Sequence, residues 1–156
     1  MAQPCLEAPG SVSRDVDIAL RRKAKGDLAE LKVACDLVER GYQVAFPYGE
    51  DCDFDLVLLR NGTLERVQVK YSASKDGVIQ VKCRSHSLTN GKIRRTKHYT
   101  AENIDWLAIY DRTTDRCFYV NADELGAGMS WIHLRLSPTR NSQSVGIRNA
   151  EHYCDL

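Results

Sequence analysis

No apolar run in this chain of 156 residues approaches the ~18 that a membrane-spanning helix requires, so a membrane-embedded role is not expected. The stretch from Met1 to Asp17 offers neither a basic start nor an apolar segment, and it reads as a polar tail containing proline, glycine and serine. The expectation is a cytoplasmic protein with a flexible tail over 1–17 and one domain over 18–156. Two cores would each be thin, since folding at this length buries only roughly 70% of the unfolded surface. Paired cysteines are missing as well. Cys5, Cys35, Cys52, Cys83, Cys117 and Cys154 are dispersed without a Cys-x-x-Cys pair, which excludes zinc-ribbon spacing and predicts reduced, mostly core residues. A chain that is 43% hydrophobic and 28% charged is not collagenous, disordered or a disulfide scaffold. No internal repeat or low-complexity segment is present.

Bulk charge is also lacking, at a formal net of +1, so the chain as a whole has no field to draw a polyanion. Its distribution is uneven, however. Acidic residues are absent from Gly77 to Ala101, while Lys82, Arg84, Lys92, Arg94, Arg95 and Lys97 all lie in that window. Such a stretch is either a solvated basic loop or a footprint for phosphates.

The hydrophobic pattern gives the elements. Helical spacing from Ile18 to Arg40 predicts a long first helix with Leu28, Leu31, Cys35 and Val38 as its stripe and Gly41 as its stop. Glu30 shares a side with Val33, Ala34 and Leu37, so its carboxylate leaves from a partly apolar surface. Tyr42 to Phe46 reads as a first strand. Asp53 to Arg60 and Thr63 to Ser72 are two more, joined by Asn61-Gly62, a strong short-range hairpin signal. Further strands are expected at Val78 to Arg84, with Ile79, Val81 and Cys83 inward, then at Ile104 to Tyr110, Cys117 to Val120 and Trp131 to Leu136. A turn is expected at Asn90-Gly91, a helical turn capped by Thr100, a short helix at Ala122 to Leu125, and a loop with a marginal helix after Ser137.

A two-residue hairpin loop fixes register. Arg60 then faces Thr63, Leu58 faces Glu65, Leu56 faces Val67 and Phe54 faces Val69, which sets Asp55 opposite Gln68 and Asp53 opposite Lys70. Period-two alternation puts Asp53, Asp55, Gln68 and Lys70 on one face and Phe54, Leu56, Leu58, Val67 and Val69 on the other. Opposed residues have Cβ atoms about 5 Å apart, so a carboxylate, a carboxamide and an ammonium gather in one patch. A surface ion pair on the polar face of a sheet would look the same from sequence. Phosphodiester hydrolysis, in turn, needs oxygen ligands for Mg²⁺ and a cation beside the attacking water. Asp55, the Gln68 side-chain oxygen and the Val69 carbonyl have the first chemistry, and Lys70 has the second.

The segments Gly26-Asp27-Leu28-Ala29-Glu30, Asp53-Phe54-Asp55 and Gln68-Val69-Lys70 resemble the three active-site motifs of the PD-(D/E)XK nuclease superfamily, with Gln68 in place of the usual second acid. That variant is similar to the group I intron-encoded homing endonucleases of PD-(D/E)XK type found in cyanobacteria, and more distantly to archaeal Holliday junction resolvases. The resemblance covers Ala24 to about Tyr71 and continues more weakly through Ile104 to Tyr110 and Arg140 to Gln143. It implies an α/β (α+β) restriction-endonuclease-like core, a central mixed sheet flanked by helices. It also implies Glu30, Asp55, Gln68 and Lys70 as catalytic residues, with Asp55, Gln68, Val69 and Glu30 around Mg²⁺, for which Mn²⁺ can substitute. The activity implied is a site-specific double-strand DNA endonuclease acting as a homodimer or as a homotetramer built as a dimer of dimers. A one-site chain must at least pair to cut two strands.

The expected DNA surface comprises Lys82, Arg84, Lys92, Arg94, Arg95, Lys97, His98, Arg140, Asn141 and Gln143. Trp106 and Trp131 sit in apolar strands and are expected in the core. Two alternatives stay open: a resolvase-like or restriction-type nuclease, and a non-catalytic DNA-binding module suggested by the neutral Gln68. A protein-interaction domain with a merely solubilising basic segment ranks behind them.

Overall fold

Helix α1 spans Arg22–Glu39 and is closed by Gly41, whose φ of 86° lets the chain turn back on itself. Gly41 N–H donates to the Val38 carbonyl at 2.9 Å and Tyr42 N–H to the Leu37 carbonyl at 3.1 Å, a Schellman closure that satisfies two otherwise orphaned carbonyls. The computed structural model describes residues 21–49, 52–89, 92–137 and 145–156, and within strands the side chains of 87–89 and 92–95 fall outside that description. The expected tail at 1–17 and the Asn90-Gly91 turn therefore lie outside the described residues.

Strands follow in the order β1 (Gln43–Ala45), β2 (Leu56–Arg60), β3 (Thr63–Ser72), β4 (Val78–Lys82), β5 (Arg84–Thr89), β6 (Lys92–His98), β7 (Trp106–Asp111), β8 (Arg116–Asn121) and β9 (Trp131–Arg135). The main sheet has the order β1-β2-β3-β7-β8, with β3 and β7 parallel and the other pairs antiparallel. It is a mixed sheet, as a parallel pair reached by a long crossover requires. β4 pairs with β9 and β5 with β6 in two smaller antiparallel sheets. Short 3-10 turns follow at Ala122–Leu125, as expected, and at Ala150–Tyr153.

One face of the main sheet carries α1. Ala29, Val33, Ala34 and Leu37 pack on Leu56, Leu58, Val67, Val69, Trp106, Ala108 and Tyr110. This corrects the expected stripe, because Leu31 and Val38 are 62% and 57% exposed and Cys35 is exposed as well. The helix has two adjacent apolar stripes, and the one bearing Ala29 and Ala34 is narrow enough for close approach to a sheet. The opposite face is covered by the β4–β9 pair, whose Ile79, Val81, Ile132 and Leu134 meet Leu107, Ile109, Phe118 and Val120. The fold class is α+β, with α1 the only α-helix among the described residues.

Further corrections concern single residues. Phe54 packs in the cluster beneath β4 and β9, and not with Leu56 and Leu58, because β2 begins only at Leu56 and the alternation does not extend back through Phe54. Trp131 lies on the outer face of β9 and is 38% exposed, with the Lys82 ammonium 5.1 Å from its ring centroid, whereas Trp106 is buried as expected. Of the cysteines, Cys83 and Cys117 are core residues, while Cys35 and Cys52 are exposed.

Candidate active site

The first hairpin turns through Asn61 and Gly62, both at positive φ (51° and 76°), the backbone that a tight two-residue loop demands. Register follows as expected: Arg60 faces Thr63, Leu58 faces Glu65 and Leu56 faces Val67. One backbone bond continues beyond the ladder, from Asp55 N–H to the Val67 carbonyl at 2.9 Å. There the pairing changes character. The Asp55 carboxylate accepts the Val69 N–H at 2.7 Å and a hydrogen bond from the Gln68 amide nitrogen, which also donates to the Val69 carbonyl at 3.3 Å.

Three of the expected groups thus converge. Gln68 is buried, 8% exposed, and Lys70 is half-buried one pleat along on the same face, since their register partners Leu107 and Ile109 both lie beneath β4 and β9. Lys70 is close enough for its charge to favour ionised Asp55. Burial is the larger influence and raises the Asp55 pKa above its ordinary value, against the Val69 N–H, Lys70 and Gln68, which all pull it down. Glu30 is raised too, first by burial and then by the like charges of Asp55 and Asp27. The Asp55 contribution places the helix carboxylate within electrostatic reach of Asp55.

Asp53 does not join this group as expected. Its carboxylate is paired with the Lys97 ammonium of β6, and not with Lys70. Lys70 instead donates to the phenol oxygen of Tyr99 at 2.9 Å. Both partners come from β6 and the residue just beyond it, a stretch that local hairpin arithmetic does not reach.

The donor set is all oxygen: two carboxylates, a carboxamide and a backbone carbonyl. Hard divalent cations such as Mg²⁺ favour that chemistry. No cluster of three or more His, Cys, Asp or Glu suited to a metal occurs among the described residues, so a cation held here would depend on neutral oxygens beside Glu30 and Asp55.

Of the expected DNA surface, Lys82 is exposed and Arg84 half-buried, while His98 faces the Met129 carbonyl at 3.5 Å and packs on Gly128. The backbones of Lys92, Arg94 and Arg95 lie in β6, and Arg140, Asn141 and Gln143 fall outside the described residues. Asp111 was not singled out from sequence, yet it is fully buried. It accepts from the N–H and hydroxyl of Ser74 and of Thr114 between 2.7 and 3.1 Å, so its charge is spent on holding two turns together.

The model of the PD-(D/E)XK endonuclease family matches residues 20–156. The chain belongs to the PD-(D/E)XK endonuclease family. Among solved structures, this nuclease is similar to a bacterial homing endonuclease, I-Ssp6803I, at 25% identity with a TM-score of 0.69, covering 86% of this chain and 88% of that one. No curated protein sequence matches it significantly. In addition, no helix among the described residues of the nuclease is long and apolar enough to cross a membrane.

Proposed function

We propose that this nuclease makes site-specific double-strand breaks in DNA with Mg²⁺, in the manner of a homing endonuclease. The observation that carries the reading is the meeting of Asp55, Gln68 and the Val69 carbonyl beside Lys70. The Gln68 amide nitrogen donates to both other oxygens, so it occupies the space a cation would bridge, and the same amide turned about its terminal bond offers oxygen there. Glu30, Asp55, Gln68 and Val69 would hold Mg²⁺, which supplies Lewis acidity and a more acidic bound water. Lys70 orients the water or meets charge developing on the phosphate. Half-buried Asp55, fixed by the Val69 N–H, keeps its ligand direction without reorganisation.

The basic hairpin β5–β6 supports a DNA substrate, and likeness to a homing endonuclease supports a specific duplex site. Cutting both strands calls for two copies, as a homodimer or as a dimer of dimers. Incubation with a pooled duplex library tests the reading. The expected result is discrete cleavage in Mg²⁺ that a chelator abolishes, with a four-way junction cut no faster. Absence of any cleavage in Mg²⁺ or Mn²⁺ overturns it.

A further inference from the structure

The buried phenol of Tyr99, just beyond the end of β6, lies 2.9 Å from the Lys70 ammonium. We infer that Tyr99 is a positioning residue that holds Lys70 in its working direction, an inference that rests on the role proposed above for Lys70.

A lysine side chain carries about 2 kcal/mol of rotamer entropy and does not hold a direction by itself. Tyr99 is only 2% exposed and packs in the cluster beneath β4 and β9, so its ring has little freedom to give. Its backbone is fixed as well, by its N–H to the Cys83 carbonyl at 3.0 Å. Asn103 closes the following turn through the Thr100 N–H and the His98 carbonyl at 3.0 and 3.3 Å. The Lys70 nitrogen sits 4.8 Å from the ring centroid, near the hydroxyl end.

The chemistry of the acceptor suits the task. A carboxylate in this place would neutralise the ammonium and compete for it, whereas a neutral phenol oxygen takes one of three N–H donors and leaves the charge and two donors for water or phosphate. A second contact comes from the same stretch of chain. Lys97, two residues earlier and within β6, pairs with Asp53. The basic hairpin is thus fastened at once to the segment bearing Asp55 and to the strand bearing Lys70.

Tyr99→Phe keeps the ring and its packing and removes only the acceptor. Three measurements on the full chain decide the matter: the single-turnover cleavage rate at saturating DNA and Mg²⁺, the DNA Kd with Ca²⁺ in place of Mg²⁺, and the thermal midpoint. The expected result is a rate about 10- to 100-fold lower, with Kd within about twofold and the midpoint within about 3 °C. In a Lys70→Ala background, Tyr99→Phe is expected to cost nothing more, because the group it positions is gone. A Tyr99→Phe rate within about twofold of wild type, beside an inactive Lys70→Ala, overturns this inference and leaves the proposed function standing. So does a Kd that weakens in step with the rate, which would make Tyr99 a binding or structural residue. Lys70→Ala cleaving at the wild-type rate overturns both.

Discussion

The Asp55 carboxylate takes the Val69 N–H at 2.7 Å, so a side chain continues the hairpin pairing where β2 has not yet begun. Asp55 therefore has two tasks in conflict: it closes the hairpin, and it keeps a charge in a half-buried place whose net effect is to raise its pKa. Asp55→Asn retains an oxygen for the Val69 N–H while deleting the charge. Cleavage is expected to fall at least about 100-fold, since a proposed metal ligand is lost. The metal-free thermal midpoint should stay equal or rise by up to about 4 °C, since the charge was costly to bury. Calorimetry in chelator together with a plasmid-nicking assay checks both halves. A midpoint several degrees lower would show that the charge stabilises the fold.

The same shifts set a pH dependence. Asp55 and Glu30 are both raised, so between the ordinary carboxylate value near 4 and their folded values the native state binds more protons than the unfolded chain. Their contribution to stability therefore falls as pH rises through that window. Asp105 and Asp115 are lowered, by Arg66 and by Lys32, and act in the opposite sense. The readable quantity is consequently the difference between wild type and Asp55→Asn in chelator. It should grow in the variant's favour from about pH 4 upward and then level off. Added Mg²⁺ should stabilise wild type increasingly over the same range, because only ionised carboxylates bind it.

Much of this was legible locally. Asn61-Gly62 fixed the register of β2 on β3 because a two-residue loop leaves no other choice, and the register brought Asp55 to Gln68. Legibility stopped where the ladder stopped. Phe54 and Asp53 precede Leu56, so alternation no longer describes them, and Asp53 found Lys97 across 44 residues of chain. Tyr99 was invisible for the same reason, since its contact with Lys70 requires β5–β6 to fold back over β3. On α1, two apolar stripes lie side by side, and only the sheet surface decides that Ala29 and Ala34 face inward.

Lys97 separates the two roles proposed for the basic hairpin. Charge reversal at Arg94 and Arg95 should weaken DNA binding and flatten its salt dependence by about 0.9 in log–log slope per lost phosphate contact. Lys97→Glu should do more, because it places a carboxylate against Asp53 beside the site. Its single-turnover rate at saturating DNA is expected to fall about tenfold or more, whereas the Arg94 and Arg95 changes should leave that rate nearly intact. Salt titrations of Kd alongside single-turnover rates test the contrast. Equal rates in all three variants would mean that the Asp53 pair does not support the site.

Gln68 tests whether a neutral ligand takes part at all. Its amide donates to the Asp55 carboxylate and to the Val69 carbonyl, an arrangement equally suited to a purely structural cross-strand tie. Gln68→Glu keeps the reach and adds a charge. In metal-free protein it should lower the thermal midpoint by about 2–4 °C, because it sets a buried carboxylate against the half-buried one of Asp55, and Mg²⁺ should recover that loss. Cleavage should survive at a measurable rate, with no higher Mg²⁺ requirement than wild type. Gln68→Leu fills similar space without an oxygen, and its rate should fall about 10- to 100-fold with a raised Mg²⁺ requirement, since Mg²⁺ tolerates an incomplete shell poorly. Cleavage rates against Mg²⁺ concentration for both variants separate a ligand from a tie. A Gln68→Leu variant as active as wild type would remove Gln68 from the metal site and leave Asp55, Glu30 and the Val69 carbonyl as its protein oxygens.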